Sequence, residues 1–135
     1  MKVRFTFIFC TFVGLLLFLQ VAKISFAFSP PPAKGKFLHV VYVWLKPDLT
    51  AQEIRAFESG MQALKKIKTV KSLHIGKPAG TQREVVDNSY SYVIVIYFNN
   101  AQGHDAYQTD PIHQQFVEKH RAKWTRVQVY DALLE

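Results

Sequence analysis

The sequence predicts an α+β domain in which strands and helices follow the order β-α-β-β-α-β. Four segments are rich in β-branched and aromatic residues, which is typical of strands. The segments expected to form helices repeat apolar residues at helical spacing or begin with a helix-capping residue. Proline, glycine and asparagine mark most of the boundaries. This order of elements is typical of the ferredoxin-like split β-α-β fold.

The first half of the domain is predicted to contain one strand and one long helix. Phe37–Leu45 has the composition of a strand, and Pro47 ends it. Thr50 and Glu53 have the spacing of a capping box, which opens a helix. Apolar side chains then recur on one face of that helix, so we expect this face to be buried. They are Ile54, Phe57, Met61, Leu64 and Ile67.

Three more strands follow. Val70–Ile75 is the second, and Gly76 closes it. The polar stretch 79–88 is expected to form a loop. Tyr90–Phe98 is the third strand, and Val127–Tyr130 is the last.

The second helical region is expected in two pieces. Asn99 or Asn100 can cap a short first helix. Asp110 caps the second helix, with Pro111 at its first position, where the missing N–H of proline costs no hydrogen bond. This second helix is expected to run to about Lys123.

The N-terminal segment has the layout of a secretory signal peptide. Lys2 and Arg4 precede a mostly apolar run over residues 5–22, and Ser25 and Ala27 supply the small residues of a cleavage site. We expect residues 1–27 to be removed and the protein to be exported, to a periplasm or outside the cell. The alternative is an uncleaved membrane anchor, because the apolar run approaches the length that spans a bilayer. Residues 28–36, which contain three consecutive prolines, are expected to form a linker to a domain over residues 37–135.

Charge and cysteine content narrow the possible partners. The net charge is +7, and residues 1–27 contribute three basic and no acidic residues, so the mature chain would carry +7 − 3 = +4. Its basic residues cluster near the end of the first helix, where they complement the helix dipole; we therefore expect no nucleic-acid partner. The cluster is Lys65, Lys66, Lys68, Lys71 and Lys77. Cys10 is the only cysteine, so the mature chain would have neither a disulfide nor a cysteine-ligated metal.

The predicted sheet is apolar on both faces. One face of the third strand would carry Tyr90, Tyr92, Ile94, Ile96 and Phe98, and the other Ser91, Val93, Val95 and Tyr97. Two helices cover only one face of a four-stranded sheet. A second copy of the chain is the simplest cover for the other face, so the sequence predicts a homodimer whose sheets pack into a shared barrel.

Four sequence segments resemble the stress-responsive A/B barrel (Dabb) family. They are Leu38-His39-Val40-Val41, Leu73-His74-Ile75-Gly76-Lys77, Val95–Asn99 followed by Asp105-Ala106-Tyr107, and Asp110–His113 with Val127–Asp131. The resemblance covers about residues 38–131 and implies the ferredoxin-like fold and a dimeric α+β barrel. The family includes a plant polyketide cyclase whose acid/base tyrosine and histidine fall on Tyr107 and His113. His39, Tyr92 and Trp124 are further candidates for lining the corresponding pocket of this chain.

These residues leave three functions open. The first is a small-molecule-binding or stress-associated domain that takes an apolar or aromatic ligand. The second is a cyclase or lyase in which His113 acts as base and Tyr107 orients a carbonyl substrate. The third is a structural module tethered to the cell envelope through residues 5–22.

Neither a metal nor a cofactor is expected from the sequence. His104, His113 and His120 are the histidines that could be imagined as metal ligands, but they do not have the spacing of a familiar ligand set. His120 lies in a row with Phe116 and Trp124, which predicts that it packs in the core. The chain also lacks a readable glycine-rich phosphate loop.

Overall fold

A computed structural model describes residues 36–135 as a four-stranded antiparallel sheet with its helices on one face. The predicted signal peptide and nearly all of the predicted linker lie outside these residues. Within the described range, no helix combines the length and the hydropathy required to cross a membrane.

The elements follow the predicted order. They are β1 (Lys36–Leu45), α1 (Ala51–Ala63), β2 (Ser72–Gly76), β3 (Tyr92–Phe98), α2 (Ala101–Thr109), α3 (Pro111–His120) and β4 (Trp124–Leu134). Short 3-10 turns follow α1 and α3. The strands lie in the order β2-β3-β1-β4, and every neighbouring pair is antiparallel. The predicted ferredoxin-like α+β fold is therefore confirmed.

The local signals that predicted the helix starts act as expected. The Thr50 hydroxyl accepts the Glu53 backbone N–H, and the Glu53 carboxylate accepts the Thr50 N–H, which completes the capping box. Asn100, the second of the two predicted candidates, caps α2. The Asp110 carboxylate accepts a backbone N–H at the start of α3, where Pro111 is the first residue.

β2 begins at Ser72 rather than Val70, and the boundaries of β3 and β4 also differ from the prediction. β3 begins at Tyr92, and Tyr90 lies on the opposite face from Tyr92, with its ring centroid 4.8 Å from that of Tyr42. β4 extends well beyond the predicted Val127–Tyr130 at both ends, because it pairs with β1 along nearly its whole length.

The core lies between the sheet and the helices. Along β3, alternate residues are buried, and these side chains meet the apolar face of α1. The most deeply buried large side chains are Phe57, Phe98, Met61, Leu64, Ile96 and His120. Gly60 allows α3 to approach α1 closely, since a Cβ there would lie only 2.7 Å from Nε2 of His120.

The opposite side of the sheet, here called the outer face, consists of half-buried apolar side chains on the central strands. They are Val40, Tyr42, Val93, Val95 and Tyr97. None of the described helices covers this face, and Tyr130 on β4 beside it is 60% exposed. A groove along it runs beneath the loop before β3 and reaches Trp44 and Arg126.

Candidate functional site

A cavity of about 380 Å³ lies between the sheet and helices α2 and α3. Four residues singled out from the sequence line it: His39, Tyr107, His113 and Trp124. Most of the remaining wall is apolar and comprises Val41, Val43, Leu64, Ile94, Phe116, Val117, Val127 and Val129. Volume and lining both fit the range of small-molecule sites, about 300–1,000 Å³ with a few polar groups in an apolar wall.

The junction between α2 and α3 brings Tyr107 and His113 together. Tyr107 lies in the last turn of α2, and the extended Asp110 breaks the helix before Pro111 opens α3. The chain turns at this break, so the two side chains meet with their ring centroids 4.4 Å apart. A six-residue spacing in one continuous helix would put them on different faces, because 3.6 residues complete a turn.

His113 is oriented by the backbone. Its Nδ1 lies 3.1 Å from the carbonyl oxygen of Gln108. A carbonyl only accepts hydrogen bonds, so the Nδ1–H donates and Nε2 of the neutral ring keeps its lone pair. Burial lowers the pKa of His113 below the usual 6.5, although the hydrogen bond to Gln108 opposes this shift. His113 is therefore neutral at pH 7, with Nε2 able to accept a proton.

Tyr107 is suited to donate a hydrogen bond. The residue is only 2% exposed, and burial raises the pKa of its hydroxyl. Burial alone accounts for this shift, with no contribution from a hydrogen bond to the hydroxyl. A phenol that stays protonated can donate to an oxygen that gains negative charge during a reaction.

A second polar cluster lies at one end of the cavity wall. Nδ1 of the buried His39 lies 2.6 Å from Oδ1 of Asp131, because β1 and β4 pair these two residues directly. The His104 ring on α2 lies 4.9 Å from the His39 ring. Burial lowers the pKa of His39, although the contact with Asp131 opposes this shift. Sequence reasoning did not bring these three residues together, since they come from three separate elements.

Tyr92 lies outside the cavity. It is on the helix-facing side of β3, but its hydroxyl donates to the Glu58 carboxylate 2.6 Å away, and its ring lies near Lys77. These contacts hold Tyr92 in a separate depression beside α1. The alternation of residues along β3 predicts its face, but not its distance from Tyr107.

A family model described as the stress responsive A/B barrel domain matches residues 37–133, nearly the whole described range. The chain belongs to this family. Its Dabb domain includes both the cavity and the cluster around His39. No curated protein sequence matches the chain.

Solved structures share the fold of this Dabb domain at low sequence identity. Hydroxynitrile lyase from Passiflora edulis aligns with a TM-score of 0.67 at 14% identity, over 76% of this chain and 96% of that one. A Dabb family protein from Mesorhizobium loti aligns with a TM-score of 0.62 at 18% identity, over 76% and 99%. A dimeric ferredoxin-like protein of unknown function from Thermobifida fusca gives 0.63 at 15%, over 78% and 97%.

Proposed function

We propose that this Dabb protein binds a small, largely apolar molecule with a carbonyl or similar oxygen in the cavity beside Tyr107 and His113. The observation that carries the proposal is the juxtaposition of two polar side chains in an otherwise apolar cavity of about 380 Å³. The apolar walls favour a hydrocarbon or aromatic body, and the Tyr107 hydroxyl supplies a hydrogen bond to its oxygen.

Filling the cavity is expected to abolish this binding. Val127 lines the cavity but is 38% exposed, so Val127→Phe can place a ring in the cavity without overpacking the core. With a panel of aryl aldehydes and ketones, isothermal titration calorimetry is expected to show affinity at least about tenfold weaker than that of the unmodified protein.

Gln52→Phe is the control, because Gln52 is exposed on α1 and lies outside this cavity. It is expected to leave affinity unchanged. Equal affinities in both variants would mean that ligands bind elsewhere, and no binding of any compound to the unmodified protein would count against the choice of ligand class.

Proton transfer is the second candidate function. It is favoured by the division of roles in the pair: His113 presents an unprotonated Nε2, while Tyr107 remains a hydrogen-bond donor. Nε2 would take a proton from carbon next to the carbonyl, and the Tyr107 hydroxyl would stabilise the resulting enolate oxygen. A relative in fold is a hydroxynitrile lyase, which supports a lyase or cyclase assay as the first screen.

The outer face supports a homodimer. Similar structures are described as dimeric, and the apolar centre of this sheet lacks a cover within the described chain. A second copy that packs sheet against sheet would bury these side chains and form the barrel.

Charging the outer face is expected to dissociate the dimer. Val95 lies at its centre, between Val40 and His74 on the neighbouring strands. Val95→Asp would bury an unpaired carboxylate, which costs roughly 3–5 kcal/mol, or on the order of 10²–10⁴-fold in affinity. Light scattering after size-exclusion chromatography is expected to give twice the chain mass for the unmodified protein and for Gln52→Asp, an exposed control on α1. A monomeric unmodified protein would contradict the dimer.

A further inference from the structure

We propose that His39, His104 and Asp131 form a binding site for a divalent transition metal ion such as Zn²⁺. Each of the three side chains offers one donor atom, and the three atoms lie within 4.8 Å of one another. Two imidazoles and one carboxylate form a common ligand set for Zn²⁺ and for other first-row metals. This site adjoins the cavity proposed for the organic ligand: His39 lines both, whereas His104 and Asp131 do not line the cavity.

Packing holds the two histidine rings in place before any ion binds. His39 is only 3% exposed, and the β1–β4 register places it opposite Asp131. The His104 ring stacks on Phe37, with 4.5 Å between centroids and 20° between planes, and this contact directs it towards His39. A site that is already arranged loses little side-chain entropy when it binds an ion.

The separations of the donor atoms, which now lie within 4.8 Å of one another, must change when an ion binds. Donor atoms bound to one tetrahedral zinc ion at about 2.0–2.2 Å lie about 3.3 Å apart. The observed 2.6 Å between His39 and Asp131 is a hydrogen bond, so a rotation of the carboxylate would open room for the ion. The Asp131 side chain is 40% exposed and the His104 side chain 13%, which leaves a path from solvent.

Gln108 contacts this cluster and the cavity at once. Its side-chain amide nitrogen lies 2.9 Å from Nε2 of His104, while its backbone carbonyl oxygen accepts the hydrogen bond from His113. That amide nitrogen donates to Nε2, so an ion can bind His104 through Nδ1 only after the Gln108 side chain turns its amide oxygen towards Nε2–H, the arrangement that orients metal-binding histidines. The site would therefore adjoin the cavity, whose lining includes both Gln108 and the ligand His39.

Metal binding is tested by titrating the untagged, EDTA-treated protein with Zn²⁺ in a calorimeter and with Co²⁺ in an absorption spectrometer. We expect one ion per chain and visible d–d bands from Co²⁺. His104→Phe keeps the stacking on Phe37 but removes a ligand, and Asp131→Asn removes the negative charge; each is expected to weaken Zn²⁺ affinity at least about tenfold. Asp48→Asn, at an exposed aspartate between β1 and α1, is the control and should bind as tightly as the unmodified protein.

The proposal is overturned if the unmodified protein binds neither ion, or if affinity survives both ligand substitutions. Circular dichroism checks that each variant is folded. If the His104→Phe variant is unfolded, the Zn²⁺ affinity of the Asp131→Asn variant alone tests the site. This substitution is expected to leave the fold intact, because the Asp131 side chain is partly exposed and asparagine has nearly the same shape. Val127→Phe is expected to retain Zn²⁺ affinity, so failure of the metal site and failure of organic-ligand binding are distinguishable.

Discussion

His113→Asn is expected to lower the rate of any proton transfer catalysed in the cavity by about 10²–10⁴-fold while the protein stays folded. Asparagine can still donate its amide N–H towards the Gln108 carbonyl, the partner of His113 Nδ1. It lacks a basic nitrogen in place of Nε2, so only the proton acceptor is lost. Ligand affinity is therefore expected to change far less than turnover.

Tyr107→Phe is expected to act through a different step. It removes the hydroxyl but keeps the ring that packs against Phe98 and His113. Loss of one hydrogen-bond donor to a developing oxyanion typically costs about 10²–10³-fold in kcat. The measurement is kcat and KM for both variants on the substrate found by screening, with Asp48→Asn as an exposed control.

The pH profile gives an independent check on the base. Because burial lowers the pKa of His113, the neutral, active form persists below pH 6.5 and is lost only as pH falls through the lowered pKa. The unfolded chain binds this proton more readily than the folded one, so the contribution of His113 to stability also declines as pH falls from about 6.5. A rate that rises on acidification, or a His113→Asn variant with full activity, would exclude His113 as the base.

Gly60→Ala is expected to destabilise the protein by about 1–2 kcal/mol. The new methyl group would lie 2.7 Å from Nε2 of His120 and 3.0 Å from a ring carbon of Phe116. His120 is 1% exposed, so its ring has little room to move away. The steric cost exceeds the gain in helix propensity of about 1 kcal/mol that alanine brings.

Gly103→Ala is the matched control, since it is the same substitution in another helix. A Cβ at Gly103 would make ordinary contacts, 3.5 Å from Oδ1 of Asn100 and 3.6 Å from Cβ of Phe98. Here only the propensity term remains, and we expect stabilisation of up to about 1 kcal/mol. The melting temperatures of the two variants, measured by thermal unfolding, should differ by about 10 °C. A Gly60→Ala protein as stable as Gly103→Ala would show that α1 and α3 are not so closely packed.

Local sequence signals are sufficient to predict the helices. The features that they do not predict, the length of β4 and the position of Tyr90, depend on contacts between segments that are distant in sequence. The capping box of Thr50 and the Asp110-Pro111 start act through neighbours in sequence, so they can be read from the chain. The length of β4 depends on β1, which lies far away along the chain, and could not be inferred from the β4 sequence alone. The same holds for Tyr90, whose position depends on contacts with Tyr42 and Trp44.

In the candidate site as well, contacts between residues near in sequence could be predicted, and contacts between distant residues could not. Tyr107 and His113 are near in sequence and were predicted as a pair; they do meet at one cavity, although a role in catalysis stays a prediction. The contact between His39 and Asp131 joins residues 92 positions apart and follows from strand register, which the sequence pattern did not specify. The sequence pattern does not connect His104 with His39; only the fold shows that α2 places the two rings side by side.

The two tryptophans of the chain lie on opposite faces of the sheet and therefore report on different events. Trp44 lies in the outer-face groove, where its indole N–H donates to Ser89 and the Arg126 guanidinium lies 4.4 Å from the centre of its ring. Trp124 lines the cavity. The emission of Trp44 would thus follow association of two chains, and that of Trp124 the arrival of a ligand. Two variants that each retain one tryptophan would therefore report dimerisation and ligand binding separately by intrinsic fluorescence, without an attached dye.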